Sequence, residues 1–308
     1  MNSHETSARE WYPFDRLVVI YCALMLSLLL TMGRPLGDFV GELVFYGLMM
    51  VLAILAVRCL DASRPGWSRS LRLLYPALMF TFFYRATGGT MFLFFDQFFD
   101  GQLAAWERSL LGVNPTIFID QNTLNPILNE LFSLAYFCYY LMIPAFLIYI
   151  YRRQDWAILK SVMTTFCAVF FCSYLMFMFY PLEGPRWFLA EQYHHDVTSP
   201  IARHLAQFVI NNAAVRGGCM PSSHFAVALV IAMYVFRFYR KYRWPVLALV
   251  VALGIGTVWG RYHYVSDVFV GGLLGSGVTL LVWKLMPIAR RDTDPTPSPV
   301  IEEAKYVS

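Results

Sequence analysis

Long apolar runs separated by short polar stretches constrain this chain more than any other feature of its sequence. A bilayer core of about 30 Å requires roughly 20 mostly apolar residues per helix. Of the 308 residues, 58% are hydrophobic and 14% are charged, whereas a soluble domain carries roughly 25% charged residues. This charge is too small to cover a water-facing surface. The sequence therefore predicts an all-α fold, a polytopic transmembrane helical bundle.

The apolar runs divide the chain into three parts. We predict about eight spans, at residues 17–32, 39–57, 73–83, 131–151, 157–180, 225–238, 246–259 and 268–286. The third extends to residue 95 if residues 87–89 form a break within it. Residues 1–72 are predicted to form an N-terminal two-span extension. Residues 73–286 are predicted to form a membrane core of six helices that bears the catalytic site. Residues 287–308 are rich in Pro, Thr, Ser and Asp, and we expect a disordered cytoplasmic tail there. Residues 98–111 have helical amphipathic spacing, which predicts a helix along the membrane interface.

The basic residues indicate how the spans are oriented, because Lys and Arg gather on the cytoplasmic side. They follow every second span, at Arg58, Arg64, Arg69, Arg72, Arg152, Arg153, Lys160, Arg237, Arg240, Lys241, Arg243, Lys284, Arg290 and Arg291. All of them fall on one side if the third segment spans, so both termini are predicted to be cytoplasmic. The loops 96–130, 181–221 and 260–267 then face the periplasm or exterior in a bacterial plasma or inner membrane, or a lumen in a eukaryote.

Charge and cysteine content exclude other classes of protein. A formal net charge of +4 is too small to indicate a nucleic-acid partner. The six cysteines are scattered without the spacing of metal ligands, so neither a disulfide framework nor a zinc site is indicated. The cluster His194-His195-Asp196 is interpreted as a solvated loop.

A polar segment leads directly into the sixth predicted span. It reads Pro221-Ser222-Ser223-His224. A proline near a helix start, followed by hydroxyl residues, places free N–H groups and the positive end of the helix dipole at one point. Such a point binds phosphate readily. Helix capping alone accounts for a segment of this kind in most proteins.

The last span opens with a histidine and an aspartate four residues apart, His263 and Asp267. On a helix these two residues share a face, so the carboxylate can reach the imidazole. A carboxylate that holds one ring nitrogen leaves a lone pair on the other, which a nucleophilic histidine requires. The alternative is an interfacial histidine beside a helix-capping aspartate. His224 begins the sixth span and His263 begins the eighth, so the two helices between them return the chain to the same face, where Arg186 also lies. Phosphoryl transfer needs cations, a nucleophile and an acid, and this face would supply them.

Three segments resemble the signatures of the type-2 phosphatidic-acid phosphatase superfamily. They are Gly184-Pro185-Arg186, Pro221-Ser222-Ser223-His224, and His263 to Asp267 followed by Gly271 and Gly272. The stretch with Glu107, Gly112 and Pro115, and the Arg-Tyr-His-Tyr run at 261–264, are more similar to the inositol-phosphotransferase branch, which includes inositol phosphorylceramide synthases.

The resemblance implies a role for each catalytic residue. His263 would attack phosphorus and form a phosphohistidine, Asp267 would orient His263, and His224 would protonate the departing alcohol. The resemblance implies no metal ion and no cofactor.

Phosphate binding is less completely matched by the resemblance. Thr257 stands where the third signature has an arginine, and Phe179 stands where the first has a lysine. Arg261 is therefore predicted as the second cation, with Arg216 in reserve. The predicted phosphate-binding residues are Arg186, Ser222, Ser223 and Arg261.

Three functions stay open at this point. The first is a lipid phosphotransferase similar to inositol phosphorylceramide synthase, which moves a phosphorylated headgroup from a phospholipid donor to a lipid alcohol. The second uses the same residues with water as acceptor, as a lipid phosphate or polyprenyl diphosphate phosphatase. The third is a transporter, although transport sites usually lie near the bilayer midplane. The sequence leaves the donor headgroup, the acceptor and the oligomeric state open.

Overall fold

The structure is a computed structural model that describes residues 10–32 and 38–288. Apart from one isolated bridge between Leu182 and Gly218, the regular structure of these residues is helical, which confirms the all-α prediction. The helices are α1 (Pro13–Met32), α2 (Phe39–Cys59), α3 (Trp67–Thr90), α4 (Asp100–Leu111), α5 (Pro115–Asn122), α6 (Pro126–Arg152), α7 (Trp156–Phe179), α8 (Pro185–Phe188), α9 (Ala202–Ala213), α10 (Ser223–Phe238), α11 (Arg243–Trp259) and α12 (Val265–Leu285). Residues 289–308 of the predicted tail, with Arg290 and Arg291, lie outside the described residues.

Six helices within the described ranges are long and apolar enough to cross a bilayer, which makes the chain a multi-pass membrane protein. They are α1, α2, α6, α7, α12, and α11 with the short 3-10 turn before it. The predicted count of about eight spans needs two more helices. α10 is apolar but has only 16 residues, and α3 has 24 residues but carries Arg69, Arg72 and Arg85. The count of eight and the direction of the spans stay predictions.

The long loops contain more helix than the sequence predicts. The amphipathic stretch at 98–111 forms α4, as expected. The loop at 181–221, in which the sequence predicts no regular structure, contains α8 and the 12-residue α9. The third predicted span is longer than residues 73–83, because α3 starts at Trp67 and continues through Gly88 and Gly89 to Thr90.

Helix α7 lies at the centre of the bundle and contacts α1, α3, α6, α10 and α12. Tyr21 of α1 stacks on Phe171 of α7, with ring centroids 4.3 Å apart. The same buried hydrophobic cluster continues into α10, where it includes Ala226 and Tyr234. The first helix therefore packs into the core rather than at its periphery, and the division of the chain at residue 72 stays a prediction.

A buried ion pair joins α1 to α3 at one end of the bundle. The Arg72 guanidinium donates to both carboxylate oxygens of Asp15, at 2.9 and 2.6 Å, and the Tyr75 hydroxyl donates to the same carboxylate at 2.8 Å. Buried charges are tolerated when they are paired and hydrogen-bonded, so Arg72 can lie inside a helix bundle.

Helices α10 and α12 approach each other closely, and this contact positions the candidate site. A Cβ atom at Gly271 would lie 2.5 Å from the Ser222 carbonyl oxygen, and one at Gly275 would lie 2.5 Å from that of Ala226. Only glycine permits this approach. Ser222 also donates its backbone N–H to the Asp267 carbonyl at 2.9 Å, so the first turns of both helices lie side by side.

Candidate active site

The N-terminus of α10 presents its first turn to a cavity. Ser222 is the N-cap, and its hydroxyl accepts a hydrogen bond from the Phe225 N–H at 3.4 Å. The first N–H groups of a helix have no acceptor within the helix. Ser223 and His224, which carry the next two of these groups, both line the cavity.

Ser222 itself does not reach the cavity. Its side chain is fully buried, its hydroxyl caps α10, and its N–H is bonded to Asp267. The prediction that Ser222 binds phosphate is therefore not supported by its position, because its polar groups are used inside the protein. Ser223 is the serine placed to meet a ligand.

His263 and Asp267 lie next to each other, although they do not share a helix face as the sequence predicts. His263 Nδ1 lies 3.4 Å from Asp267 Oδ2, and both side chains are buried. The sequence argument places the two residues on one helix face, but α12 begins only at Val265. The carboxylate instead reaches back around the N-terminus of α12, where Oδ2 also accepts the Tyr264 N–H at 2.9 Å. Nδ1 faces the carboxylate, and Nε2 is the nitrogen left for chemistry.

The two histidine rings lie next to each other. Their centroids are 5.7 Å apart, with the planes inclined by 58°, and both rings line the same cavity. A nucleophile and a proton donor at this separation can act on opposite sides of one small group. The separation is the central geometric fact of the site.

Three tyrosines of α6 surround the His224 ring, and the sequence analysis missed them. His224 Nε2 lies 3.5 Å from the hydroxyls of both Tyr136 and Tyr140, and the Tyr139 ring lies 4.5 Å from the imidazole. The three are spaced by three and one residues, so helical periodicity puts them on one side of α6. Three tyrosines near the middle of an apolar helix were the available signal.

Cys219 is a further site residue that the sequence did not predict. Its thiol donates to Asp267 Oδ2 at 2.8 Å, and its sulfur lies 3.5 Å from His263 Nδ1. Burial raises the pKa of the Cys219 thiol well above its ordinary value, which keeps the sulfur protonated as a donor. Cys219 thus lies against the same carboxylate oxygen as the histidine.

Arg186 reaches the cavity because of a tight turn. Gly184 has φ +94°, and a Cβ there would lie 3.1 Å from Cys219 Sγ. The Asp100 carboxylate of α4 holds this turn by accepting the N–H groups of Glu183 and Gly184, each at 2.8 Å. The guanidinium of Arg186 then lines the cavity beside the histidines.

The charge on Arg186 is not matched by an acidic partner in the described part of the chain. Burial lowers the pKa of the Arg186 guanidinium from its ordinary value, and the nearby Arg203 lowers it further. A half-buried cation close to a second cation favours a bound anion.

Arg261 does not reach the cavity, which corrects the prediction that it is the second phosphate-binding cation. Its backbone φ is +66°. Its guanidinium donates to Asp120 Oδ1 at 2.6 Å and lies over the Tyr193 ring, 3.8 Å from the centroid. The reserve residue, Arg216, donates to Glu183 at 2.7 Å and is largely exposed.

Arg203 of α9 contacts a residue that lines the cavity, although it does not line the cavity itself. Its guanidinium donates to the Tyr262 hydroxyl and to the Gly260 carbonyl, the latter at 3.3 Å. Tyr262 lines the cavity and directly precedes His263. Arg203 lies within residues 181–221, which the sequence predicts as a loop, so it was not expected at the site.

The cavity has a volume of about 600 Å³ and continues from the histidines into the bundle. Below the tyrosines it is lined mainly by apolar residues of α3, α6 and α7, namely Leu74, Ala77, Leu78, Phe80, Ile143, Pro144, Leu147, Ile148 and Phe170. The lining of α3 from Leu74 to Tyr84 spans ten residues, or about 15 Å of helix. Leu78 is 61% exposed and Ile148 is 50% exposed, so the walls that they form also face the membrane.

The fold and this site define a multi-pass helical membrane protein with two histidines and an arginine at the end of an apolar cavity. The chain belongs to the PAP2 superfamily, whose family model matches residues 101–281. Members of this superfamily are typically phosphatases. The match covers α4 to α12 and includes every predicted site residue.

One curated relative is similar to part of the chain. It is the bacitracin transport permease protein BcrC of Bacillus licheniformis, 32% identical over 99 residues. This stretch covers 32% of the chain and 46% of the relative, so the match spans less than half of that protein. No solved structure matches the chain. The comparisons confirm the superfamily and leave the inositol-phosphotransferase branch a prediction.

Proposed function

We propose that this chain is a membrane-embedded lipid phosphotransferase that takes a phosphorylated headgroup from a phospholipid onto His263. One observation carries the proposal. The His263 ring, backed by Asp267, lies 5.7 Å from the His224 ring, and Arg186 lines the same cavity. Membership of a superfamily of phosphatases supports the reaction class.

In the first step, Nε2 of His263 attacks the phosphorus, because Nδ1 faces the Asp267 carboxylate. The new P–N bond forms as the bond to the leaving oxygen breaks. His224, in its protonated form, donates a proton to that oxygen. Arg186 and the first N–H groups of α10 stabilise the negative charge that develops on the phosphoryl oxygens.

The second step reverses the roles. The hydroxyl of the acceptor attacks the phosphorus of the phosphohistidine, His224 accepts the hydroxyl proton, and the P–N bond breaks. His263 is thereby regenerated with its lone pair on Nε2. Asp267 keeps the ring in one tautomer through both steps.

The shape of the cavity supports a lipid substrate. A phosphate at the histidines would lie at the polar end of the cavity, and the apolar part extends about 15 Å along α3. That length is about half of a bilayer core of about 30 Å. A hydrocarbon chain attached to the phosphate would lie against Leu74, Ala77 and Leu147, where burial of apolar surface is favourable.

Transfer to a lipid alcohol is the form of the reaction that we propose, as in inositol phosphorylceramide synthases. His263 is only 4% exposed, and a covalent intermediate shielded from water survives until an alcohol arrives. The second candidate is hydrolysis of a lipid phosphate or polyprenyl diphosphate, which the usual activity of the superfamily favours.

A transport function is the alternative from another class, and the name of the relative describes a transport permease. The two histidines and Asp267 of the site lie at the N-terminal ends of α10 and α12, whereas transport sites usually lie near the bilayer midplane. This distribution favours the enzyme.

We further propose that the site faces away from the cytoplasm, with both termini on the cytoplasmic side. The basic residues Arg152, Arg153, Arg240 and Lys241 lie at the ends of α6 and α10 that are opposite the site. Basic ends of this kind remain cytoplasmic.

Covalent trapping tests the proposal. Purified protein in lipid nanodiscs is incubated with a phospholipid labelled at phosphorus and quenched in alkali, which preserves phosphohistidine. We expect acid-labile label on wild-type protein and on His204→Asn, an exposed histidine of α9, and no label on His263→Asn. Unlabelled wild-type protein, despite turnover of the lipid, would contradict the covalent step.

The acceptor is tested in the same preparation. Addition of ceramide or diacylglycerol should produce a labelled lipid product and reduce the release of water-soluble phosphate. Phosphate release that is unaffected by either alcohol would replace the transferase with the hydrolase. An intact substrate, moved across the bilayer without turnover, would replace both with the transporter.

A further inference from the structure

We propose that Cys219, His263 and Asp267 form a binding site for a thiophilic divalent cation such as Zn²⁺, and that the bound ion inhibits the enzyme. The three side chains offer sulfur, nitrogen and carboxylate oxygen, which are the three ligand types that zinc takes in proteins. Metal binding does not depend on the proposed function. Inhibition rests on it.

The distances among the three ligand atoms fit a shared metal. Bonds of about 2.3 Å to sulfur and about 2.0–2.1 Å to nitrogen or oxygen, at tetrahedral angles, separate ligand atoms by about 3.3–3.6 Å. Cys219 Sγ lies 3.5 Å from His263 Nδ1, which in turn lies 3.4 Å from Asp267 Oδ2. Only the distance from Sγ to Oδ2, now a 2.8 Å hydrogen bond, has to lengthen.

A second observation concerns the other carboxylate oxygen. Asp267 Oδ1 is fully buried and has no hydrogen-bond partner among the described residues, while Oδ2 lies within hydrogen-bonding distance of donors on Cys219, His263 and Tyr264. Buried carboxylate oxygens are normally satisfied. The unused lone pairs of Oδ1 leave the carboxylate free to rotate toward a cation or to bind it through both oxygens.

The surroundings also favour a cation. Asp100 and Glu107 of α4 lie close enough to act electrostatically on Cys219 and Asp267, respectively. Cys219 and His263 both line the cavity, which gives an ion a path from outside. A water molecule or a substrate oxygen in the cavity can complete a tetrahedron.

Inhibition follows from the tautomer of His263. Binding of the ion at Nδ1 and Sγ displaces the thiol proton to water, because a coordinated thiol is deprotonated. The proton on the neutral imidazole must then lie on Nε2. The lone pair that would attack phosphorus is thereby lost, and Asp267 no longer orients the ring.

Cobalt spectroscopy tests the site directly. Co²⁺ occupies tetrahedral zinc sites, and its bonds to thiolate give a charge-transfer band in the near ultraviolet. We expect the band in wild-type protein and in Cys59→Ser, whose thiol is exposed and distant. It should be absent in Cys219→Ser. Zn²⁺ should displace the band and Mg²⁺ should not, because Mg²⁺ prefers oxygen ligands.

A second test measures the affinity for Zn²⁺ and the effect of Zn²⁺ on turnover. Removal of an outer partner of a metal ligand alone weakens binding by about 10–100-fold, so Cys219→Ser should weaken Zn²⁺ binding at least tenfold. Zinc should lower the turnover of wild-type protein and of Cys59→Ser, and leave the turnover of Cys219→Ser at its own zinc-free value. Near-ultraviolet circular dichroism checks that Cys219→Ser is folded.

The outcomes separate the two proposals. A missing band in wild-type protein, or a band that persists in Cys219→Ser, overturns the metal site. A band without any detectable lipid turnover supports the metal site and counts against the proposed function. A band together with zinc-insensitive turnover overturns the inhibition.

Discussion

Glu107 accepts two hydrogen bonds from Ser266, from the backbone N–H at 2.9 Å and from the hydroxyl at 2.8 Å. Both reach the same oxygen, Oε1, and the carboxylate is buried. Ser266 directly precedes Asp267, so α4 determines where the first turn of α12 lies. An amphipathic helix outside the spans thus holds the residue that orients His263.

We expect Glu107→Gln to retain most of its turnover and Glu107→Ala to lose it. The glutamine carbonyl can accept both hydrogen bonds at the position of Oε1, whereas alanine leaves Ser266 unpaired. Each of the two hydrogen bonds contributes about 0.5–1.5 kcal/mol, which together is roughly 5- to 150-fold in rate if the loss falls on the transition state. Turnover of the labelled lipid by both variants in nanodiscs checks this. Equal losses of turnover in the two variants would show that the negative charge of Glu107 is required, and not only its ability to accept hydrogen bonds.

The stability of the protein should depend on pH through the same residue. Burial raises the pKa of Glu107, and the charge of Asp267 adds to the effect. The folded state therefore holds the proton at pH values where the unfolded state has released it. The stability from this carboxyl is complete below its unfolded pKa and is lost as the pH rises through the folded pKa. Glutamine does not titrate, so Glu107→Gln keeps this stability at all pH values. The melting temperature of the variant should therefore rise relative to that of wild type as the pH increases from mildly acidic to neutral. A constant difference would contradict the raised pKa.

His224→Ala should be sensitive to the leaving group. As the proposed acid, His224 protonates a departing alkoxide, and general acid catalysis contributes about 10²–10⁴-fold. A nitrophenolate leaves without a proton. Turnover of a lipid phosphate should therefore fall far more than turnover of nitrophenyl phosphate, while His263→Ala should lose both. A loss that is the same for the two substrates would assign His224 to binding.

Arg203→Ala should impair activity, whereas Arg261→Ala should impair stability. Arg203 contacts Tyr262 at the cavity, so its loss should lower kcat/KM by roughly tenfold or more. Arg261 pairs with the buried Asp120 away from the cavity, so its loss should lower the melting temperature and leave kcat/KM within a few-fold. Steady-state kinetics and thermal unfolding of both variants test the assignment. A larger kinetic loss in Arg261→Ala would restore it as the second cation.

Filling the apolar part of the cavity should select against long lipid chains. Ala77 lines it between Leu74 and Tyr84, and Ala77→Phe should reduce turnover of long-chain substrates much more than that of a short-chain analogue. Ala145→Phe, on α6 with its side chain exposed outside this lining, is the matched control. Chain-length profiles measured for both variants decide the point. Identical profiles would place the hydrocarbon chain elsewhere.

The sequence predicts the spanning helices and places Arg186, His224 and His263 at one end of the bundle because apolar periodicity and helix order are local properties. Cys219 and the tyrosines of α6 enter through tertiary packing, which no spacing in the chain encodes. Arg261 pairs with Asp120 and lies over the Tyr193 ring, and this contact between segments distant in sequence is not predicted by the position of Arg261 two residues before His263. Arg203 requires α9, a short amphipathic helix whose periodicity within residues 181–221 was the available signal.

The glycine contact between α10 and α12 has a consequence for how this chemistry can diverge. Because Gly271 and Gly275 bring α12 against the backbone of α10, and Glu107 holds the first turn of α12, the spacing of the two imidazoles follows from the helix pair and its support by α4. The walls contributed by α3 and α6 can change to accommodate other headgroups or longer hydrocarbon tails while the reacting atoms keep their separation. One catalytic pair can in this way serve many lipids.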